Sequence, residues 1–201
     1  MAQAAVRTKH EELLSAAVRL FRERGYHATS MQDLAEAVGV QRGSLYHYIE
    51  AKEDLLWEIM DRTISQLLRA VEATTAMPGS AAERLRRAVS AHLEVGAQRP
   101  DEMTILHVEL KSLTGAHRRH MVTLRDRYQE VFRAVIRRGI SAGEFRKVDP
   151  KATVFAILGA CNWFTQWYRP GGEQDHTAFA TAFCDLFMQG LESGPSARAR
   201  A

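Results

Sequence analysis

The 201-residue sequence has few cysteines, few prolines and no long apolar run, and each shortage excludes something. Its two cysteines, Cys161 and Cys184, have no CxxC spacing and stand in apolar helical contexts. They are read as buried, reduced thiols of a cytoplasmic protein rather than as a disulfide framework. The longest apolar run, Val154–Cys161, is far shorter than the about 20 residues a membrane-spanning helix needs. Met1–Arg24 is charged throughout and lacks the apolar segment of a signal peptide. His92, His107, His117 and His120 have no carboxylate or cysteine that completes a ligand set, so no metal is expected. There is no glycine-rich phosphate loop, no nucleophile elbow and no acidic pair in a matching context. No catalytic residue and no cofactor are therefore assigned, and the chain is not read as an enzyme.

Strand-period alternation and internal repeats are also missing, and helix-period patterning takes their place. Apolar residues recur at steps of three and four, as in Leu13, Ala17, Leu20 and Phe21, and again in Leu56, Met60, Ile64, Leu67 and Val71. Breakers punctuate the pattern: Gly25, Gly39, Met77-Pro78-Gly79-Ser80, Arg99-Pro100, Gly143 and Arg169-Pro170-Gly171-Gly172. Asp149-Pro150 is an N-cap followed by a proline in the first helical position. The fold class is all-α, with about nine helices. The small, basic stretch 194–201 is expected to be a disordered tail.

The segment QRGSLYHYIEAKEDLL, Gln41–Leu56, carries unusually many polar and aromatic groups for so short a helix. What precedes it explains them. Ser30-Met31-Gln32-Asp33 has capping-box form, so a helix begins at Met31 and runs through Leu34, Ala35 and Val38. Gly39 can take the left-handed conformation that ends it, and a second short helix begins near Gln41. Two short helices joined by a glycine-containing turn form a helix-turn-helix, whose second helix enters the DNA major groove. Arg42 suits bidentate contact with guanine, and Gly43 lets a backbone approach closely. Ser44 can reach a base edge or a phosphate, while Leu45 points back to the core. Tyr46 offers its ring to a thymine methyl or its hydroxyl to a phosphate, while His47 and Tyr48 suit the sugar-phosphate wall. Lys52, at the start of the next helix, can meet a phosphate. Gln41 either caps the recognition helix or reads a base. Thr29 and Ser30, before the first helix of the pair, complete the candidate DNA-binding set. Charge does not advertise this region: residues 1–50 carry six basic and six acidic groups.

The string GYHATSMQDLAEAVGVQRGSLYHYIEAKEDLL, Gly25–Leu56, resembles the DNA-binding domain of the TetR family of transcriptional regulators. The Gly-Tyr, the Thr-Ser cap, the Asp-Leu-Ala, the Gly-Ser-Leu-Tyr-His-Tyr and the Lys-Glu-Asp-Leu all fall at family spacing. Gln41 stands where the family usually has a Ser or Thr cap. The resemblance implies a homodimeric repressor that binds a palindromic operator in double-stranded DNA and is released by a small hydrophobic effector. Residues 1–51 would form the DNA-binding domain, and 52–193 the effector and dimerisation domain.

In that second region Val154–Cys161 is apolar on all sides, which predicts burial all round, in part against another subunit. The aromatic stripe Phe179, Phe183, Leu186, Phe187 and Leu191 suits pairing with it. The string NWFTQWYRPGG, Asn162–Gly172, resembles strings in TetR-type regulators of lipid catabolism that answer to acyl-CoA thioesters, and it equally fits aromatic packing at a helix end. Residues 117–147 carry nine basic groups against three acidic ones, a surplus suited to coenzyme A phosphates or to a solvated basic face. Candidate effector-binding residues are Trp57, Met60, Ile64, Met103, Leu106, Leu110, Phe164 and Trp167 for an apolar chain, with Arg118 and Arg125 for the charged end. The effector is thus an acyl-CoA, another apolar molecule, or absent.

Overall fold

A computed structural model describes residues 2–192, so the expected disordered tail lies outside the described residues. Among them the chain forms nine α-helices and one 3-10 turn, and no strand. The helices are α1 (Ala2–Arg24), α2 (Met31–Ala37), α3 (Arg42–Leu45), α4 (Lys52–Ala76), α5 (Ala81–Gln98), α6 (Pro100–Val108), α7 (Gly115–Ser141), α8 (Pro150–Trp167) and α9 (His176–Leu191). The 3-10 turn, Glu109–Ser112, follows α6. No helix among the described residues is long and apolar enough to cross a membrane.

The chain divides into two compact units. One unit takes residues up to 63 together with 101–122; the other takes 64–100 together with 123 onward. In the first, α1 packs on α2 and α2 on α3. Leu13, Ala17, Leu20 and Phe21 of α1 and Leu56 of α4, which the three- and four-step pattern singles out, are buried, as are Leu34, Ala35 and Leu45. Phe21 meets Tyr26 edge-to-face, with centroids 5.2 Å apart.

In the second unit α5 packs along α8 and α9. Ser80 caps α5 in a full capping box with Glu83, while the Glu144 carboxylate accepts from the Ala81 N–H at 2.7 Å. The Asp149 carboxylate caps α8, and the Asp175 carboxylate caps α9. Cys161 and Cys184 are free and buried, and burial pushes both thiols above their usual range. Buried Tyr128 and His92 meet at 2.7 Å, hydroxyl to Nδ1.

Helix α8 is buried along one side among the described residues. Val154, Ile157, Leu158, Cys161 and Phe164 are buried, but Ala156 and Gly159 are exposed, as are Phe155 (50%) and Trp163 (66%). Among the described residues, packing covers only one side of the helix. On α9, Leu186 is likewise 66% exposed. Past Val154–Cys161, the end of α8 meets α9 through a ladder of rings: Phe164 to Phe179 at 5.8 Å, Trp167 to Phe179 at 5.0 Å and Trp167 to Phe183 at 6.4 Å.

Candidate nucleic-acid interface

Helix α2 begins where a side chain can replace the missing intrahelical acceptor. Ser30 is extended (φ −94°, ψ 165°) and its Oγ accepts from the Asp33 N–H at 3.1 Å, while Asp33 accepts from the Ser30 N–H at 2.7 Å. These bonds from Ser30, with Arg24 at 3.1 Å, hold the Asp33 carboxyl below its usual range. The helix ends at Gly39, whose φ of +67° is left-handed, and the Val40 N–H returns to the Ala35 carbonyl at 3.0 Å. Lys9 of α1 braces the turn by donating to the Val38 carbonyl at 2.8 Å.

One regular turn of helix follows. After Arg42–Leu45 the chain tightens, with Tyr48 N–H bonded to the Leu45 carbonyl at 2.8 Å and Ile49 N–H to the same carbonyl at 3.1 Å. Leu45 and Ile49 are buried and anchor the element. Gln41, Arg42, Gly43, Tyr46 and His47 are exposed, and Ser44 and Tyr48 are half-buried. A short helix pinned by two apolar side chains therefore presents seven expected DNA-binding residues outward or at its edge. Gln41 is the N-cap by position, yet its side chain makes no capping bond. Gly43 costs the helix about 1 kcal/mol relative to alanine. A Cβ built there would meet nothing within 4 Å, so the fold itself has no use for the missing side chain.

Two residues expected at the DNA are engaged within the fold instead. Thr29 is fully buried, and its hydroxyl donates to the Gly25 carbonyl at 2.9 Å, which fastens the α1–α2 loop and keeps the side chain from any ligand outside. Lys52 turns inward as well. Its ammonium donates to the carbonyls of Tyr26 at 2.7 Å and Thr29 at 2.6 Å, and lies 4.3 Å from the centre of the Tyr26 ring. A phosphate would have to compete with both carbonyls. Ser30 stays exposed, with its hydroxyl engaged by Asp33.

The candidate effector residues fall in both compact units. Met60, Met103 and Leu106 are core side chains of the first unit, where Trp57 and Leu110 are half-buried and Arg118 is exposed. Ile64 and Phe164 are core side chains of the second. There Trp167 is 43% exposed, and burial pushes the Arg125 guanidinium below its usual range, against the pull of Asp126.

The residues that hold the head together escape a reading of the sequence. The Tyr26 N–H donates to Glu109 at 3.4 Å, Ser112 links Glu109 (2.7 Å) to His27 (3.0 Å), and the Thr114 N–H donates to Glu53 at 2.9 Å. Arg62 makes a two-pronged pair with Glu11, at 2.9 and 2.8 Å. Glu11 stands 51 residues from Arg62 and Ser112 85 residues from His27, beyond the reach of any local pattern.

A helix-turn-helix whose second helix is exposed along its polar side, in an all-helical chain, defines a DNA-binding regulator. Comparison with known proteins gives the family. Residues 13–59 match the family described as "Bacterial regulatory proteins, tetR family", and residues 78–191 match "Tetracyclin repressor-like, C-terminal domain". The chain belongs to the TetR family of transcriptional regulators. It is 29% identical over 187 residues to the HTH-type transcriptional repressor KstR2 of Rhodococcus jostii, covering 92% of each chain. Among solved structures it is similar to the TetR family regulator PfmR of Thermus thermophilus, with a TM-score of 0.82 and 37% identity over 90% of this chain and 99% of that one. It is also similar to AibR in complex with isovaleryl coenzyme A and operator DNA, with a TM-score of 0.80 and 27% identity over 89% and 97% of the two chains.

Proposed function

We propose that the protein is a cytoplasmic, homodimeric repressor that binds a palindromic operator and is released by a hydrophobic effector, an acyl-CoA thioester. The observation that carries the DNA-binding part is the surface of Gln41, Arg42, Gly43, Tyr46 and His47, held outward over the buried anchors Leu45 and Ile49. Arg42 reads guanine, Gln41 reaches a neighbouring base because it spends nothing on capping, and Gly43 admits the DNA backbone. Ser44 and Tyr48 contact the phosphate wall. One head reads only a few base pairs, so two-fold pairing is needed for a specific site. The bare apolar strip of Phe155, Trp163 and Leu186 supports pairing through α8 and α9.

The effector class rests on AibR, whose structure holds isovaleryl coenzyme A together with operator DNA, and on the chain's likeness to it. Release requires that the effector prefer the conformation that fits DNA poorly. A second reading, a plain apolar effector, is favoured by one observation. Three of the basic residues of α7 are already engaged: Arg127 with Glu72 at 2.8 Å, and Arg133 and Arg137 with Glu130. Fluorescence anisotropy on upstream DNA separates the readings. An acyl-CoA that releases the DNA where the matching free fatty acid does not supports the thioester. Equal release by both gives the plain apolar effector. No release by either removes the effector part and leaves an operator-binding protein.

A further inference from the structure

Three histidine–carboxylate pairs converge on the first half of α4, all within the unit that holds the head. The Glu53 carboxylate meets His117 Nδ1 at 3.4 Å, Glu58 meets His10 Nε2 at 2.8 Å, and Asp61 meets His120 Nε2 at 2.8 Å. Glu53, Trp57 and Asp61 recur every four residues and so share one face of α4. His117 and His120, three apart on α7, share the face that meets them. Trp57 stands between the two pairs. Its ring stacks on His117 (4.9 Å between centroids, 16° between planes) and lies 6.1 Å from His120.

A neutral imidazole donates one ordinary hydrogen bond to a carboxylate. A protonated one makes a charge-assisted bond of roughly twice the strength, and over an indole face it adds cation–π attraction. Both gains fall on the same contact here. Other charges surround it. His10, braced by Glu58, shares an open groove with His117, and that groove is also edged by Glu50, Asp54 and His47. Arg62 is held by Glu58 and Glu11. Arg118 and Arg119 flank the two histidines on α7 and oppose further positive charge. The positive end of α7 does the same, but there the Thr114 N–H is spent on Glu53. Within the α4 face itself the carboxylates meet the imidazoles directly.

We propose that the docking of the 101–122 segment onto α4 is proton-sensitive. His117 and His120 clamp the first turns of α7 to Glu53, Trp57 and Asp61, and the clamp holds more tightly with the imidazoles protonated than with them neutral. The clamp itself stands on the geometry. Its consequence, that acid biases the head and so the response to an effector, rests on the regulator reading above.

Hydrogen exchange on the full chain, with neither DNA nor effector present, tests the clamp. After correction for intrinsic exchange, amides of 113–122 should open about three- to tenfold more often near pH 8 than near pH 6, the size expected of two partly exposed ion pairs. Amides of α5, in the other unit, serve as the reference and should not follow. His117→Gln combined with His120→Gln should flatten the response, and Asp61→Asn should reduce it while leaving both imidazoles in place. Equal opening at the two pH values, or an undiminished response in the double variant, overturns the proposal. A normal exchange response in a protein that binds no operator would sink the regulator reading instead, and leave the clamp standing.

Discussion

Lys52 offers a clean decision between two roles that a sequence cannot separate. Replacing it with methionine keeps the aliphatic stem and removes the ammonium. In the structure that ammonium donates to two loop carbonyls, of Tyr26 and Thr29, and rests on the Tyr26 ring. A hydrogen bond from a charged donor contributes about 1.5–3 kcal/mol, and an exposed cation–π contact about 0.5–1. Burial works against these gains: it pushes the Lys52 ammonium below the usual lysine range, even though Asp33 and Glu109 pull it up. The side chain is also only half-buried, so water can replace part of what is lost. The net expectation for Lys52→Met is a loss of about 1–2 kcal/mol in denaturant unfolding. Operator affinity should fall by a similar factor at every salt concentration, because a looser loop misplaces α2 and α3. The salt dependence should stay as it was. A phosphate contact behaves in the opposite way: removing one lowers the logarithmic salt slope by about 0.9 and leaves folding intact. An unchanged unfolding midpoint with a slope reduced by that amount would refute the tether and return Lys52 to the DNA backbone.

Arg42→Ala should cost about 1–3 kcal/mol of operator affinity and relax the preference at one position of each half-site, measured by competition with single-base variants. Trp163→Arg, on the exposed side of α8, should leave the circular dichroism spectrum unchanged and shift sedimentation toward monomer; an intact dimer would place the interface elsewhere. Gly139→Ala should destabilise the second unit by about 1–3 kcal/mol in thermal unfolding, because a Cβ there would come within 2.2 Å of the Phe145 ring. Stability equal to the parent would mean that the ring moves aside at little cost.

The head is legible in the sequence because its devices are local. A serine three residues before an aspartate, a glycine that can turn left-handed and an apolar anchor four residues into a short helix act over less than two turns. The structure keeps all three, in Ser30–Asp33, Gly39 and Leu45. Thr29 and Lys52 mislead for the complementary reason. A threonine or lysine near a recognition helix looks the same in sequence whether it points outward or inward. The difference lies in carbonyls of residues 25, 26 and 29, which the loop turns toward them. Helix α8 shows a different limit. An apolar circumference predicts burial all round, but it cannot say whether this chain or a second one supplies the cover, and among the described residues Phe155 and Trp163 are left bare.

The basic surplus of 117–147 shows the same limit in electrostatics. Counted in a window, nine cations against three acids look like a site waiting for phosphates. The fold brings distant acceptors to them. Glu72, 55 residues away, takes Arg127, and the Gly190 carbonyl, 44 residues away, takes Arg146 at 2.6 Å. Glu130 takes Arg133 and Arg137 on α7 itself. Arg125 has withdrawn from water far enough for burial to weaken its charged form. Surface pairs of this kind are each worth about 1 kcal/mol or less, while a two-pronged arginine–phosphate contact is stronger. Pairing therefore taxes an anionic ligand without forbidding it, and the affinity gained from a coenzyme A group depends on which of these pairs it must break. Arg118 and Arg138 are exposed on α7, and among the described residues no acidic partner is seen for either. A thioester that reached either one first would meet the smallest cost, so the charged end of an effector is better sought at an end of α7 than along its middle.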